Sequence, residues 1–261
     1  GLLPREISFF GHRVKVGLVG SVCTHPDYRG KNYGAVNLVK AEELAIDMGL
    51  SLLIISGGRG LYQRFGAVRP PGMKRILVKP GRTASMREAR ISDIGKILDL
   101  YRMKPLRYIR NFTDFEKTFS TGFAEARKAK TFLSERAYIT VVEREDSHYV
   151  IEYGGSSKDV ISLTRCFIEK LGLKECIIVA ERHFRAEESL PFEFPGTAKI
   201  ISKRSFFDQM EGYFTEIMPS EDYDRFIETV ERLSLAEFNQ EVFCCSKFNG
   251  LPLSLPNYGF D

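Results

Sequence analysis

Between Val22 and Ala35 the chain reads Val-Cys-Thr-His-Pro-Asp-Tyr-Arg-Gly-Lys-Asn-Tyr-Gly-Ala. Extended apolar residues lead into a basic turn around Gly30, and helix-forming residues begin near Gly34. Such an order presents a row of backbone N–H groups, backed by a positive helix end, to an anion of the phosphate type. Arg29 and Lys31 add charge beside the row. At Gly34 a side chain would hold a phosphate away from the backbone. A nucleotide P-loop is excluded because no Gly-Lys-Ser/Thr follows the turn, and Gly57-Gly58-Arg59-Gly60 has the wrong spacing for a dinucleotide site.

Such a loop needs a strand before it and a helix and strand after it. Residues 14–24 alternate as a strand, with Gly17 and Gly20 placed to bend or bulge it. Residues 34–48 carry apolar side chains at helical spacing, with Leu38, Ala41, Ala45 and Met48 on one face and Gly49 as the stop. Residues 50–55 make a buried strand, which completes a βαβ unit with a right-handed crossover. Residues 69–80 read as a hairpin arm around Pro70-Pro71-Gly72, and Gly81-Arg82-Thr83 as a linker.

The same order then restarts. Residues 86–89 read as a strand, Ser92-Asp93 caps a helix running to Tyr101, and residues 137–143 and 148–153 read as strands. Residues 160–171 read as a helix stopped by Gly172, and residues 175–180 as a strand, so an internal duplication is expected. The copies differ in one way. Ten residues separate Thr24 from Gly34, whereas Tyr153 passes through Gly154-Gly155-Ser156-Ser157 almost directly into helix, leaving no room for a phosphate cradle. Further on, residues 198–202 and 213–218 read as strands, residues 223–233 as an amphipathic helix, and the end as a Pro-rich tail without assigned chemistry.

Arg29, Asn32 and Gly34 fall on the pattern Gln/Arg-x-x-Gly-x-Gly/Ala, and Tyr62-Gln63-Arg64-Phe65-Gly66 on Tyr-x-x-x-Gly after a buried strand. By these motifs residues 14–80 resemble the GCN5-related N-acetyltransferase (GNAT) superfamily, and the tandem arrangement resembles the enhanced-intracellular-survival (Eis) class. The resemblance implies an α/β (α+β) fold, a mixed central sheet flanked by helices. It implies a GNAT domain over residues 1–82, then a degenerate GNAT-like domain with a C-terminal extension over residues 83–261. No length is left for that class's sterol-carrier-like third domain, and the first strands and helices of a GNAT domain have no counterpart ahead of Leu18. Either the sequence is partial, or another segment or subunit completes the acceptor side.

The resemblance also implies a chemistry: transfer of acetyl from acetyl-CoA to a primary amine by direct attack in a ternary complex. CoA pyrophosphate would lie on the N–H groups of Gly30, Lys31, Asn32, Tyr33, Gly34 and Ala35, with Arg29 alongside. The pantetheine arm would pair with Val22, Cys23 and Thr24, one of whose N–H groups could hold the oxyanion, and Gly57 and Gly58 would form the far wall. Tyr62 is the candidate general acid for the departing thiolate. A phenol near ~10 protonates a thiol near ~8.5 readily only if tuned down, for which Arg59 and Arg64 are close in sequence. The base is open between His25, Asp261 and a water chain. Asn32 stands where the family usually has Gly, and Asn is the residue that best tolerates a left-handed backbone after Gly. The competing reading is a non-catalytic acyl-CoA-binding or sensing module with a partner-binding second domain.

Composition bounds these readings. Of 261 residues 43% are hydrophobic and 28% charged, as in globular chains, and no apolar run is long enough for a bilayer. Residues 1–6 lack the charged head and apolar core of a signal peptide, so a soluble cytoplasmic protein is expected, with no membrane partner and a homo-oligomer left open. The five cysteines form no C-x-x-C pair and the four histidines are scattered, which argues against a metal site or disulfide framework. Cys23, Cys166 and Cys176 read as buried thiols in apolar surroundings, and Cys244 and Cys245 are adjacent. The net charge of +4 is concentrated between Arg59 and Arg90, a stretch that could hold a small anion. Nucleic acid ranks lower because no aromatic residues interleave the basic ones.

Overall fold

A computed structural model describes residues 1–81, 85–124, 127–144, 147–244 and 255–256. In chain order its elements are β1 (Leu2–Phe9), β2 (His12–Val19), α1 (Tyr33–Asp47), β3 (Leu52–Ser56), α2 (Gly60–Arg64), β4 (Met73–Val78), β5 (Arg87–Glu88), α3 (Ile94–Arg102), β6 (Leu106–Tyr108), α4 (Phe112–Thr121), β7 (Phe123–Ala124), β8 (Arg127–Leu133), β9 (Ala137–Arg144), β10 (Ser147–Gly155), α5 (Ser157–Lys170), β11 (Cys176–Ala180), β12 (Leu190–Phe192), β13 (Gly196–Ile200), α6 (Lys203–Ile217), α7 (Ser220–Arg232) and α8 (Leu235–Cys244). They form two compact units: unit 1 takes Gly1–Pro71 and returns at Phe194–Leu255, and unit 2 is built on Gly72–Glu193.

In unit 1 the strands run β13-β3-β2-β1. Phe10 (φ 50°) and Gly11 (φ 103°) turn β1 back onto β2, the paired positive φ values that a tight hairpin with right-handed strand twist requires. β2 and β3 are parallel, from Val16 opposite Leu52 to Val19 opposite Ile55, and α1 makes the crossover. α1 ends where the spacing predicts. Gly49 (φ 70°) donates to the Ile46 carbonyl and Leu50 to that of Ala45, a Schellman stop. Leu38 and Ala45 of α1, Leu53 and Ile55 of β3 and Tyr62 of α2 share one buried cluster. Burying a side chain of Leu or Ile size is worth roughly 1.5–3 kcal/mol. Gly17 makes no bulge: it pairs in register opposite Leu53, and a methyl there would lie 2.7 Å from Leu2 and 2.8 Å from Leu53 side-chain atoms.

Unit 2 holds a longer sheet in the order β12-β4-β11-β10-β9-β8-β5, with β7 paired to β8. β10 and β11 are parallel and joined by α5, repeating the βαβ order of unit 1. The helix stop repeats too, with Gly172 at φ 63° and Leu173 donating to the Ile168 carbonyl. Ser156 caps the start of α5 by accepting from the Asp159 N–H.

Three expectations need correction. The segment read as a hairpin arm around Pro70-Pro71-Gly72 supplies β4, which is hydrogen-bonded to β11 and β12 rather than to a neighbour of its own. The compact units accordingly divide at Pro71 and rejoin at Phe194, not at residue 82, and residues 82–83 of the expected linker lie outside the described residues. Residues 213–217 of the strand expected at 213–218, strand-like in their aromatic and β-branched content, continue α6, whose Phe206, Met210, Tyr213 and Phe214 are buried, and Met218 is its extended C-cap. There helical packing overrides local strand propensity.

Candidate functional site

The site forms where β2 and β3 stop pairing. After Val19 the chain turns away: Gly20 exchanges hydrogen bonds with Gly1, and Ser21 takes a left-handed φ of 54°. β3 keeps its other neighbour past its end, with the Gly57 N–H donating to the Pro195 carbonyl at 3.0 Å. A wedge therefore opens between Val22-Cys23-Thr24 and Ser56-Gly57-Gly58. One side chain spans it, the Arg59 guanidinium at 3.4 Å from the Val22 carbonyl.

The turn that follows is held by its own side chains. Pro26–Tyr28 makes one 3-10 turn, Arg29 Nε lies 3.4 Å from the Thr24 carbonyl, and the Lys31 ammonium sits 5.1 Å above the Tyr28 ring. His25 is exposed beside Asp27, at 3.6 Å. Gly30 (φ 78°) and Asn32 (φ 61°, ψ 11°) are left-handed, the conformation expected of Asn32 where the family motif has Gly. Asn32 is the N-cap of α1 but makes no side-chain capping bond. Ala35 and Val36 both donate to the Asn32 carbonyl at 3.1 Å, whereas the N–H groups from Gly30 to Gly34 have no backbone acceptor among the described residues. The row of available donors is thus one shorter than the sequence suggested, ending at Gly34 rather than Ala35.

Gly34 has a second reason to be glycine. A methyl there would lie 3.2 Å from Leu61 Cδ2 and 3.8 Å from Thr24 Oγ1, so the start of α1 packs against α2 and against the wedge. Across the wedge, a methyl on Gly57 (φ 91°) would lie 3.8 Å from Tyr62 Cε2. A methyl on Gly58 would press on the Arg69 guanidinium, the far end of a flexible side chain, which would have to swing aside. Tyr62 is only 2% exposed and belongs to the buried apolar cluster that also holds Val19, Ile55 and Ala67. Arg59, expected near the phenol, is turned to the Val22 carbonyl instead.

The structure brings together Val22, Cys23, Thr24, Arg29 to Gly34, Gly57 and Gly58, with Tyr62 behind Gly57. Cys23 is exposed rather than buried, while Cys166 and Cys176 are buried and burial pushes the Cys176 thiol up to about 12. Cys245 and Asp261 lie outside the described residues. Within the basic stretch 59–90, Arg75 lies over Phe192, Lys74 donates to the Phe184 carbonyl and Arg87 pairs with Asp93.

Sequence reasoning missed the corresponding place in unit 2. Glu152 near the end of β10 and Glu181 just after β11 are bridged by the buried Lys104 ammonium, at 3.2 and 3.0 Å. Arg110 pairs with Glu152 at 2.8 Å, and the Tyr153 hydroxyl donates to Glu181. Burial opposes the Lys104 charge, but the two carboxylates outweigh it and hold its pKa above the ordinary value, while Lys104 and Tyr153 hold Glu181 below its own. Four charged residues scattered between 104 and 181 carry no motif, which is why the sequence hid them.

A parallel βαβ unit whose strands part at their carboxyl ends, with a helix start in the gap, belongs to the fold of the GCN5-related N-acetyltransferases, and the mixed sheets flanked by helices match it. No protein-family model matches the chain, and no curated protein does. Solved structures do match. A GCN5-related N-acetyltransferase from Kribbella flavida is 13% identical with a TM-score of 0.57, over 78% of this chain and 57% of that one. A probable N-acyltransferase from Enterococcus faecalis is 13% identical with a TM-score of 0.63, over 80% and 60%. Eis1 from Mycobacterium abscessus is 9% identical with a TM-score of 0.54, over 77% and 60%. The chain thus spans about three fifths of the length of these structures. Among the described residues no helix is long and apolar enough to cross a membrane.

Proposed function

We propose that this protein transfers an acetyl group from acetyl-CoA to a primary amine by direct attack in a ternary complex. The observation that carries the reading is the run of N–H groups from Gly30 to Gly34 without backbone acceptors, at the mouth of the wedge between β2 and β3. CoA pyrophosphate fits that run, where the α1 dipole and the charges of Arg29 and Lys31 favour an anion. The amide-bearing pantetheine arm fits along Val22-Cys23-Thr24, which has left the sheet and has backbone groups to offer, with Gly57 and Gly58 opposite. The amine attacks the thioester carbonyl and the negative charge that develops on its oxygen meets an N–H of that segment. Losing one such donor typically costs about 3 kcal/mol of barrier. The C–S bond then breaks, Tyr62 gives its proton to the departing thiolate, and the proton shed by the amine nitrogen passes through a water chain to the Tyr62 phenolate, restoring it.

Release of free thiol from acetyl-CoA, measured across protein, aminosugar and polyamine acceptors, tests the reading. Turnover with at least one amine class is expected. Binding of acetyl-CoA without thiol release for any class would instead favour the second reading, a non-catalytic acyl-CoA sensor. The burial of Tyr62 within an apolar cluster favours that reading, because a phenol packed as core need not do chemistry.

A further inference from the structure

Of the cations around the wedge, two stand at its phosphate end: Arg29, held near the Thr24 carbonyl, and Lys31, over the Tyr28 ring. Arg59 stands at the other end. Its guanidinium reaches from the start of α2 to the Val22 carbonyl at 3.4 Å, a long contact for a charged donor. The side chain is exposed and has no carboxylate partner among the described residues. Acids of unit 1 are engaged elsewhere, Glu42 with Lys199 and Glu6 with Arg13. A guanidinium carries five N–H donors in a planar fork, so most of the binding capacity of Arg59 is unused. The direction of the bound arm decides what that capacity meets. With pyrophosphate on Gly30 to Gly34 and the arm running from Thr24 to Val22, the thioester lies at the Val22 end, and the acyl group comes to the guanidinium. An arm amide that takes the Val22 carbonyl also releases Arg59 from its contact. An acetyl methyl then offers the freed guanidinium nothing, whereas a carboxylate accepts two parallel N–H bonds from it.

We propose that Arg59 makes the wedge selective for a short acyl group ending in a carboxylate, so that malonyl- or succinyl-CoA is preferred to a neutral acyl-CoA of the same carbon number. The bond changes are those of acetyl transfer: N–C forms, C–S breaks and the thiol leaves with a proton. The product differs, because the acceptor amine becomes an amide that ends in a carboxylate. This selectivity rests on the proposal that CoA lies in the wedge.

Calorimetry with malonyl-CoA beside propionyl-CoA, and with succinyl-CoA beside butyryl-CoA, measures the preference. At low salt at least one dicarboxylic donor is expected to bind about tenfold more tightly than its neutral counterpart, the worth of one charge-assisted contact. The margin is expected to shrink as salt rises. Arg59→Gln is expected to abolish it and Arg59→Lys to keep part of it, since Lys retains the charge without the fork. Arg59 is exposed and makes no side-chain capping bond to α2, so both variants are expected to melt with the parent. Free CoA, which has no acyl group, is expected to bind Arg59→Gln no more weakly than the parent. Equal affinity for charged and neutral donors, or a margin that survives Arg59→Gln, overturns the selectivity and leaves acetyl transfer standing. Free CoA bound about tenfold more weakly by Arg59→Gln overturns it as well, because Arg59 would then serve a phosphate. Failure of the parent to bind CoA at all overturns the acetyltransferase reading, and the selectivity with it.

Discussion

Replacing Gly34 by Ala separates the stability of the loop from its affinity for phosphate. Gly34 stands in the first turn of α1, where Ala loses less backbone entropy on folding and gains about 0.4–1 kcal/mol if the conformation suits it. The residue is absent from the left-handed positions, so Ala suits it. Against that gain, the new methyl meets Leu61 Cδ2 at 3.2 Å, a crowding that the end of a partly buried side chain relieves by shifting a few tenths of an ångström. The two effects nearly cancel, and the free protein is expected to melt within about 3 °C of the parent. The ligand fares differently. The methyl would stand 3.8 Å from Thr24 Oγ1, and a phosphate displaced by it from the N–H of residue 34 loses one charge-assisted hydrogen bond. Because the pattern Gln/Arg-x-x-Gly-x-Gly/Ala admits Ala at this position, the loss is set at the low end for such a bond, about 1.5 kcal/mol, which weakens acetyl-CoA binding roughly tenfold. Calorimetric titration of acetyl-CoA against Gly34→Ala, beside a thermal melt of the free protein, measures both numbers. Unchanged affinity in a normally folded variant would refute the placement of pyrophosphate on this row.

Four other outcomes can be checked. Tyr62→Phe keeps the packed ring, so the melting temperature is expected to hold while thiol release falls at least about 100-fold; full turnover across the pH range would remove Tyr62 from the chemistry. At pH 8 iodoacetamide is expected to alkylate exposed Cys23 and to spare Cys176, whose thiol burial has raised to about 12, and acetyl-CoA should shield Cys23, as read by peptide mass spectrometry. Lys104→Met strands Glu152 and Glu181 in the interior at a cost of about 3–5 kcal/mol, lowering the melting temperature by more than about 10 °C, with partial recovery on adding Glu181→Gln. The raised pKa of Lys104 contributes stability that is lost as pH rises past the ordinary lysine value near ~10.4, and the lowered pKa of Glu181 contributes stability lost as pH falls below ~4.3, so melts across pH should show decline on both sides.

What was legible in the chain was local. The helical spacing of Leu38 and Ala45, the stop at Gly49 and the apolar strand after it place α1 and β3 from residues a few positions apart, and the same signals recur around Gly172. The left-handed Asn32 and the cradle around it follow from residue types alone. What was not legible depends on distant partners. β4 sits beside β11 and β12, about a hundred residues later, and nothing near Pro71 signals that pairing. The break of β2 at Val19 was misplaced for a related reason: residues 14–24 alternate throughout, but only β3 and Gly1 decide where pairing ends. Gly17 misled because a glycine in a strand reads as a bulge, whereas here it makes room for the side chains of Leu2 and Leu53.

The two βαβ copies pose one physical problem and answer it differently. The carboxyl ends of two parallel strands leave backbone and side-chain groups facing a common gap, and buried polar groups there must find partners. In unit 2, past the pairing of Tyr149 with Ile177 and Val150 with Ile178, the gap is met by the chain's own charges: Lys104 and Arg110 against Glu152 and Glu181, two of each sign, with Tyr153 closing on Glu181. A balanced, hydrogen-bonded set of this kind leaves a phosphate nothing to neutralise and would cost several kcal/mol to break. In unit 1 the corresponding residues are Gly57 and Gly58 on one side and a turn with unmatched N–H groups on the other, so the groups that need partners are donors and the space is kept by glycines. Donors without acceptors at a helix start select an anion, and glycines on the facing wall select a ligand that approaches the backbone closely. Affinity for acetyl-CoA is therefore expected of unit 1 alone, at one site per chain. A second calorimetric site that survives Gly34→Ala would mean that the Lys104 network opens to ligand, contrary to its burial and charge balance.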